Sequence, residues 1–197
     1  MVKDNINQAF KLYTRTILAG VMGFIIYLSV SVIFVAMSGG GEVSASTLLI
    51  RDVISLLIQG ILFYVIVYTK LWELGDKNQN AVAFGHMAAG PLRGLKIGLL
   101  ASIPSIVSFL ALVADKLFGL WSGMATAYRI CQLALYPIVS LSMGTAVTVT
   151  TTDISWGGIL CAGLPVLFVP AVATLGYYLG YRHILVWEKI VLVNKKK

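Results

Sequence analysis

Charge-free apolar runs alternate with short polar connections along the whole chain. Five of them approach bilayer length, covering 17–37, 53–69, 97–114, 130–152 and 154–181, against about 20 residues needed to cross a hydrocarbon core. The second is the shortest, and it extends upstream through Leu48 if Arg51 and Asp52 are accepted at the interface. The pattern predicts an all-α, polytopic transmembrane helix bundle. Ahead of the first run, Ile6, Ala9, Phe10, Tyr13 and Ile17 recur at helical spacing, with Lys3, Asn7, Lys11 and Arg15 mostly off that face. This predicts an interfacial helix over 1–16 leading into the first span. The long polar stretch before the apolar core reads as a retained span, not a cleaved leader. The connections leave room for a single membrane domain over 1–197, ending in a basic tail over 182–197.

Composition agrees. Of 197 residues, 58% are apolar and only 12% charged, whereas soluble domains carry about 25% charged residues. So few charges cannot coat a water-soluble globule. The net charge of +7 would suggest nucleic acid in a soluble protein. Here the cations flank apolar runs and form no stripe interleaved with exposed aromatics, so the partner they imply is a bilayer with anionic headgroups. The tally of cations also orients the chain. Lys3, Lys11 and Arg15 precede the first run, Arg51 alone follows it, and Lys70, Lys77, Arg93 and Lys96 follow the second. Lys116 and Arg129 lie before the fourth, and Arg182, Lys189 and Lys195 to Lys197 end the chain. Five crossings would put seven cations on one side and eight on the other. Four crossings, with 130–152 failing to cross, put twelve against three. An even number is therefore expected, with both termini cytoplasmic. The bundle is then four crossings plus one re-entrant segment, or six crossings with a broken helix. The segment 130–152 suits re-entry, since it holds Pro137, Gly144 and a polar stretch from Thr145 to Thr152. Non-helical backbone at membrane depth needs protein or water around it.

Inside the spans, Ala19 with Gly23, and Gly176 with Gly180, are small residues four apart, which let helix backbones approach closely. Helix packing within the chain is the plain reading; a homodimer is the other. Pro165 and Pro170 interrupt the last run and Pro104 the third, because proline lacks the N–H that continues the ladder. Trp121, Trp156, Tyr177, Tyr178, Tyr181 and Trp187 fall near segment ends, as interfacial aromatics do. Asp52, Asp115, Arg129, Asp153 and Arg182 are all read at segment edges, which argues against a self-contained proton pump. Gln59, Ser102, Ser105 and Ser108 are the main polar groups at depth, and the serines are expected to bond to backbone carbonyls near Pro104. Cys131 and Cys161 lie in apolar runs and read as small hydrophobes.

The connection 71–96 has the most unusual composition: Trp72, Asp76, Asn78, Asn80, His86 and Arg93 lie within it. Asp76, Asn78 and Asn80 open with EF-hand spacing, but Ala81 and Met87 stand where that loop needs Gly and Glu, so no calcium site follows. His86 and His183 are far apart and no metal set is formed. There is no nucleophile elbow, no phosphate loop and no His-Glu-x-x-His. No catalytic residue and no cofactor are expected. A turn rich in Asp, Asn and Gly is the bland reading; a surface that docks a partner or contacts headgroups is the functional one.

Trp72, Gly75-Asp76, Asn78, Asn80, Val82 and Phe84-Gly85, with Tyr177 to Arg182 and the Lys-rich tail, resemble small multi-pass membrane proteins of Gram-positive bacteria. The resemblance covers the connection, the third span and the C-terminus. It implies location and brings no activity. Size and basic charge are also similar to the substrate-binding membrane subunits of energy-coupling-factor transporters. The leading expectation is a non-catalytic accessory or scaffold component that docks a membrane-protein partner through 71–96. The alternative is a small-solute transporter or transporter subunit, motivated by Pro104, Pro165 and Pro170. A lipid-modifying enzyme would require Asp76, His86 and Arg93 to converge.

Overall fold

A computed structural model describes residues 2–37, 44–86, 88, 90–144 and 149–184. The described residues are helical without strands. In chain order they form α1 (Val2–Met37), α2 (Ala45–Phe63), a π-helical turn (Tyr64–Tyr68), α3 (Thr69–Ala83), α4 (Arg93–Ala101) and α5 (Ile103–Phe118). Then follow α6 (Met124–Cys131), a 3-10 turn (Leu133–Leu135), α7 (Tyr136–Met143), a second 3-10 turn (Thr151–Asp153), α8 (Trp156–Ala162) and α9 (Leu164–Tyr181). Three helical stretches are long and apolar enough to cross a membrane: Lys3–Met37, Ala45–Ala83 and Trp156–Tyr181. A fourth is added if α4 and α5, bent by 51°, act as one.

Two boundaries differ from the sequence expectation. Residues 1–16 do not form a separate interfacial helix, because α1 runs unbroken from Val2 to Met37. Its inward face there is Ala9 and Leu12, while Ile6 and Phe10 are exposed. The stretch 71–83 is not a turn either. The helix begun at Ala45 continues through the π turn to Ala83. Asp, Asn and Gly disfavour helix in isolation, but tertiary packing overrides so weak a preference. Leu71, Gly75 and Asn78 turn one face of α3 onto α9. A Cβ at Gly75 would collide with the Tyr177 carbonyl, and one at Gly180 with the Trp72 carbonyl. Gly176 likewise lies against Tyr68 and Leu71. The small residues of α9 are thus used within the chain.

Polar pins gather four helices at one end of the bundle. Asn78 donates to the Tyr177 hydroxyl at 2.9 Å, and Trp72 Nε1 donates to the Ile184 carbonyl at 2.8 Å. His183 Nδ1 lies 2.6 Å from Asp76 Oδ1. Buried Arg93 at the start of α4 donates to Asn5 at 2.7 Å and pairs with Asp4 near the start of α1. The beginning of α1 and the end of α9 therefore share one end, here called the pinned end.

The helices α6 and α7 form a hairpin from the opposite end. Tyr128 of α6 packs on Phe109 of α5, with ring centres 6.1 Å apart, and donates to the Ala162 carbonyl. The chain turns at Gln132–Leu135 beside Gly20 of α1 and Ser105 of α5. It returns through α7, where Ser140 meets Tyr27, and Ser142 lies against Gly158. Arg129 closes the hairpin by donating to the Met143 and Gly144 carbonyls at 3.2 and 2.9 Å. Of the expected segment 130–152, residues 145–148 lie outside the described residues, as do Gly39 to Gly41, Trp187 and the tail lysines.

Candidate functional site

Three interruptions of regular helix meet at one place. The first is at Ser102, where α4 ends and Pro104 opens α5. The second is Gln132–Leu135, followed by Pro137 in the first turn of α7. The third is at Gly163, followed by Pro165 in the first turn of α9. Proline fits the first turn because its missing N–H has no helical acceptor there, and it cannot continue a preceding helix. Pro170, expected to break the last run, instead stays inside α9.

Pro104, Ser105, Gln132, Leu135 and Pro165 all line one cavity of about 110 Å³, together with Thr16 and Gly20 of α1 and Phe63 of α2. At roughly 15 Å³ for a single probe-sized water, that space holds several waters or a small solute. Its floor and walls are mainly apolar, with Thr16, Ser105, Tyr13 and Gln132 as the polar groups. Gln132 is only 3% exposed and its Nε2 has no hydrogen-bond partner among the described residues. A buried donor left unpaired costs about 1–3 kcal/mol. Ser102 and Ser108 behave as expected, donating to the carbonyls of Gly98 and Ser105 at 2.8 and 2.9 Å. The cavity lies roughly 12 Å along α9 from the Tyr177 pin, eight residues at 1.5 Å each, and it opens sideways where exposed Ile17, Val21, Ile130 and Cys131 line its rim.

A second polar feature is at odds with the sequence reading. Arg51, Asp52, Asp115 and Arg129, read at segment edges, are all buried by protein, and only Asp115 and Arg129 of these lie in the last turn of a helix. Arg51 Nη2 and Asp52 Oδ1 pair at 2.7 Å, one turn or more inside α2. Asp52 lies about 25 Å along the helix from Thr69, where the apolar stretch ends. Below the pair on the same face come Ser55 and Gln59, both buried, with Ser55 Oγ and both Gln59 amide atoms unpartnered among the described residues. A charge-counting reading could not see this, since an interfacial and a protein-buried Asp look alike in sequence. The signal that was present is the spacing of Asp52, Ser55 and Gln59, three and four apart in an otherwise apolar helix.

The residues expected to form a docking surface are mostly engaged inside the chain. Trp72, Asp76 and Asn78 hold α9 and Arg93 holds α1, whereas Asn80 and His86 are exposed. Asp76 is thus engaged with His183, and Arg93 with Asp4 and Asn5. Ala19 is buried, and Gly23 receives the Gln59 side chain. Between α1 and α3 at the pinned end, Lys11, Arg15, Lys70 and Lys77 border a groove in which Glu73 pairs with Lys70 at 2.8 Å and also attracts Lys77 and Arg15. No cluster of three or more His, Cys, Asp or Glu residues able to hold a metal is present among the described residues.

No family model, curated protein or solved structure matches the chain.

Proposed function

We propose that the protein is a small-solute transporter, or the solute-binding membrane subunit of one, with the cavity at Gln132 as its binding site. The observation that carries this reading is the convergence of three proline-associated helix breaks on one cavity between α1, α5, α9 and the turn before α7. Broken helices free backbone groups for a ligand, and transporters place such breaks near mid-membrane. In this reading α1, α2–α3, α4–α5 and α8–α9 cross a bacterial cell membrane and α6–α7 is re-entrant. The groove cations at the pinned end support a cytoplasmic placement of both termini and contact with anionic headgroups.

The test is a thermal-shift screen of small neutral solutes on detergent-purified protein. A ligand raises Tm in proportion to its occupancy, and Gln132→Leu abolishes that rise. Hits that survive Gln132→Leu and Ser105→Val alike would remove the cavity from consideration. Accessibility of Asn80→Cys from the cytoplasm and Ser155→Cys from outside checks the threading.

A scaffold role retains one observation in its favour. Phe84 and Leu92 are strongly exposed beside His86 in the connection after α3, a place where a membrane-protein partner can dock. Loss of a co-purifying protein on Phe84→Ser with Leu92→Ser supports that role, and an unchanged set of partners opposes it.

A further inference from the structure

The polar face of α2 runs from Asp52 through Ser55 to Gln59, while Leu49, Val53, Leu57 and Ile61 on the remaining faces are exposed. The helix is thus polar inward and apolar outward, the arrangement expected when lipid is the solvent. What needs explanation is why the inward face is polar at all. Leucine would fill the same seam without stranding a hydroxyl and an amide.

The surroundings of that face form a track. At its lower end Gln59 lies against Gly23 of α1, where an added Cβ would sit 2.9 Å from Gln59 Cγ. The missing side chain at Gly23 is what admits the amide. One turn along α2 from Gln59 is Phe63, and three residues along α1 from Gly23 is Gly20; both line the cavity. The track therefore ends at the solute site.

At its upper end the track is plugged. The Arg51 guanidinium stands over the Tyr27 ring, 5.0 Å from its centre, and Tyr27 packs against Tyr136 of α7 with ring centres 4.9 Å apart. The Tyr27 hydroxyl meets Ser140 at 3.3 Å. Each of these contacts joins different helices, α1 with α2 or α1 with α7, so separating α7 from α1 and α2 would break the plug.

We infer that the seam between α1, α2 and α7 is the access route from the unpinned end to the cavity, carrying water and small uncharged hydrogen-bonding solutes such as alcohols and amides. The Arg51–Asp52 pair leaves no net charge in the path, and below it only the hydroxyl of Ser55 and the amide of Gln59 are offered. Such groups exchange hydrogen bonds with a neutral polar solute and do not replace the hydration shell of a bare ion. This inference rests on the cavity being a solute site.

The experiment uses full-length protein in liposomes, with Cys131→Ser and Cys161→Ser removing the native thiols. Ser55→Cys and Gln59→Cys are each exposed to two probes, neutral hydroxyethyl methanethiosulfonate and cationic trimethylammonioethyl methanethiosulfonate, and modification is read by mass. Only a hydrated thiol ionises and reacts. Expected is reaction of both positions with the neutral probe, at least tenfold faster than with the cationic one, and a further tenfold acceleration on Tyr27→Ala. Leu57→Cys on the lipid face stays unmodified, and Ser44→Cys at the mouth of α2 reacts with both. The idea is overturned if Ser55→Cys and Gln59→Cys stay as inert as Leu57→Cys even with Tyr27→Ala, while Ser44→Cys is modified. It is equally overturned if the cationic probe reacts as fast as the neutral one. Ser55→Cys exchanges one atom, so its result stands should Gln59→Cys not fold. Inert seam thiols beside a Gln132-dependent thermal shift would leave the cavity reading intact and remove only the seam. Reactive seam thiols with no stabilising solute would do the reverse.

Discussion

Asn78 and Tyr177, 99 residues apart in the chain, are joined by a buried hydrogen bond of 2.9 Å that ties α3 to α9. Neither group has water to fall back on, so each is held by the other. Tyr177→Phe removes the acceptor and leaves the Asn78 amide short of a partner. The expected loss is about 1–3 kcal/mol, or a fall in Tm of several degrees at about 2–4 °C per kcal/mol for a chain of this size. Thermal unfolding of the detergent-purified variant checks it, and Asn78→Leu, which removes the donor as well, should restore part of the loss in the double variant.

Gly75 and Gly60 make a matched pair on one continuous helix. Gly75→Val drives a side chain into the Tyr177 carbonyl and should separate α3 from α9, at a cost of about 1–3 kcal/mol or outright aggregation. A Cβ at Gly60 meets nothing within 4 Å, so Gly60→Ala should stabilise by roughly 0.5–1 kcal/mol through helix propensity alone. Size-exclusion profiles and melting curves of the two variants should move in opposite directions.

Gln132 is expected to trade stability for binding. Gln132→Leu removes a buried amide whose Nε2 has no hydrogen-bond partner among the described residues, which should be neutral or stabilising for the unliganded protein. The same change should abolish the solute-dependent rise in Tm. A variant that lost stability without ligand would show that the Gln132 amide is satisfied inside the protein.

Asp153 gives a pH signature. It accepts from the Thr150 hydroxyl at 2.6 Å and the Thr150 N–H at 3.1 Å, closing a reciprocal cap on the turn Thr151–Asp153. These bonds from Thr150, aided by Lys116, hold its carboxyl below the usual carboxylate range. A lowered pKa means the folded state favours the charged form. The cap's contribution is therefore present above the ordinary carboxylate pKa of about 4, and is lost as pH falls through the lowered value. Asp153→Asn should lower Tm at neutral pH, where the charged cap contributes, and flatten the acid limb so that variant and wild type converge below about pH 4. An acid limb identical to wild type would contradict the cap.

Much of the architecture is written locally. A run such as 17–37 is apolar at every azimuth, and no neighbour is needed to know that it prefers lipid to water. Pro104, Pro137 and Pro165 likewise interrupt or open helices by their own covalent structure, wherever they sit. The absence of cations between Arg129 and Arg182 marks the stretch that holds α7, α8 and α9 as the one where a missing crossing is expected, without any coordinates. Gly176 and Gly180 announce a close helix contact but not its partner.

That partner, and most of the candidate site, came only with the tertiary structure. Whether Asp52 faces headgroups or a protein seam depends on Tyr27, Arg51 and Ser140, two of them far away in the chain. A hydropathy window averages over the helix circumference and discards the angle that decides this. The composition of 71–83 resembles a turn because helix propensity is worth tenths of a kcal/mol per residue, less than α3 gains by packing Leu71 and Gly75 on α9. Three separate proline breaks become one site only when folding brings Ser105, Gln132 and Pro165 around the same cavity, since that meeting is set by long-range packing and not by any single segment.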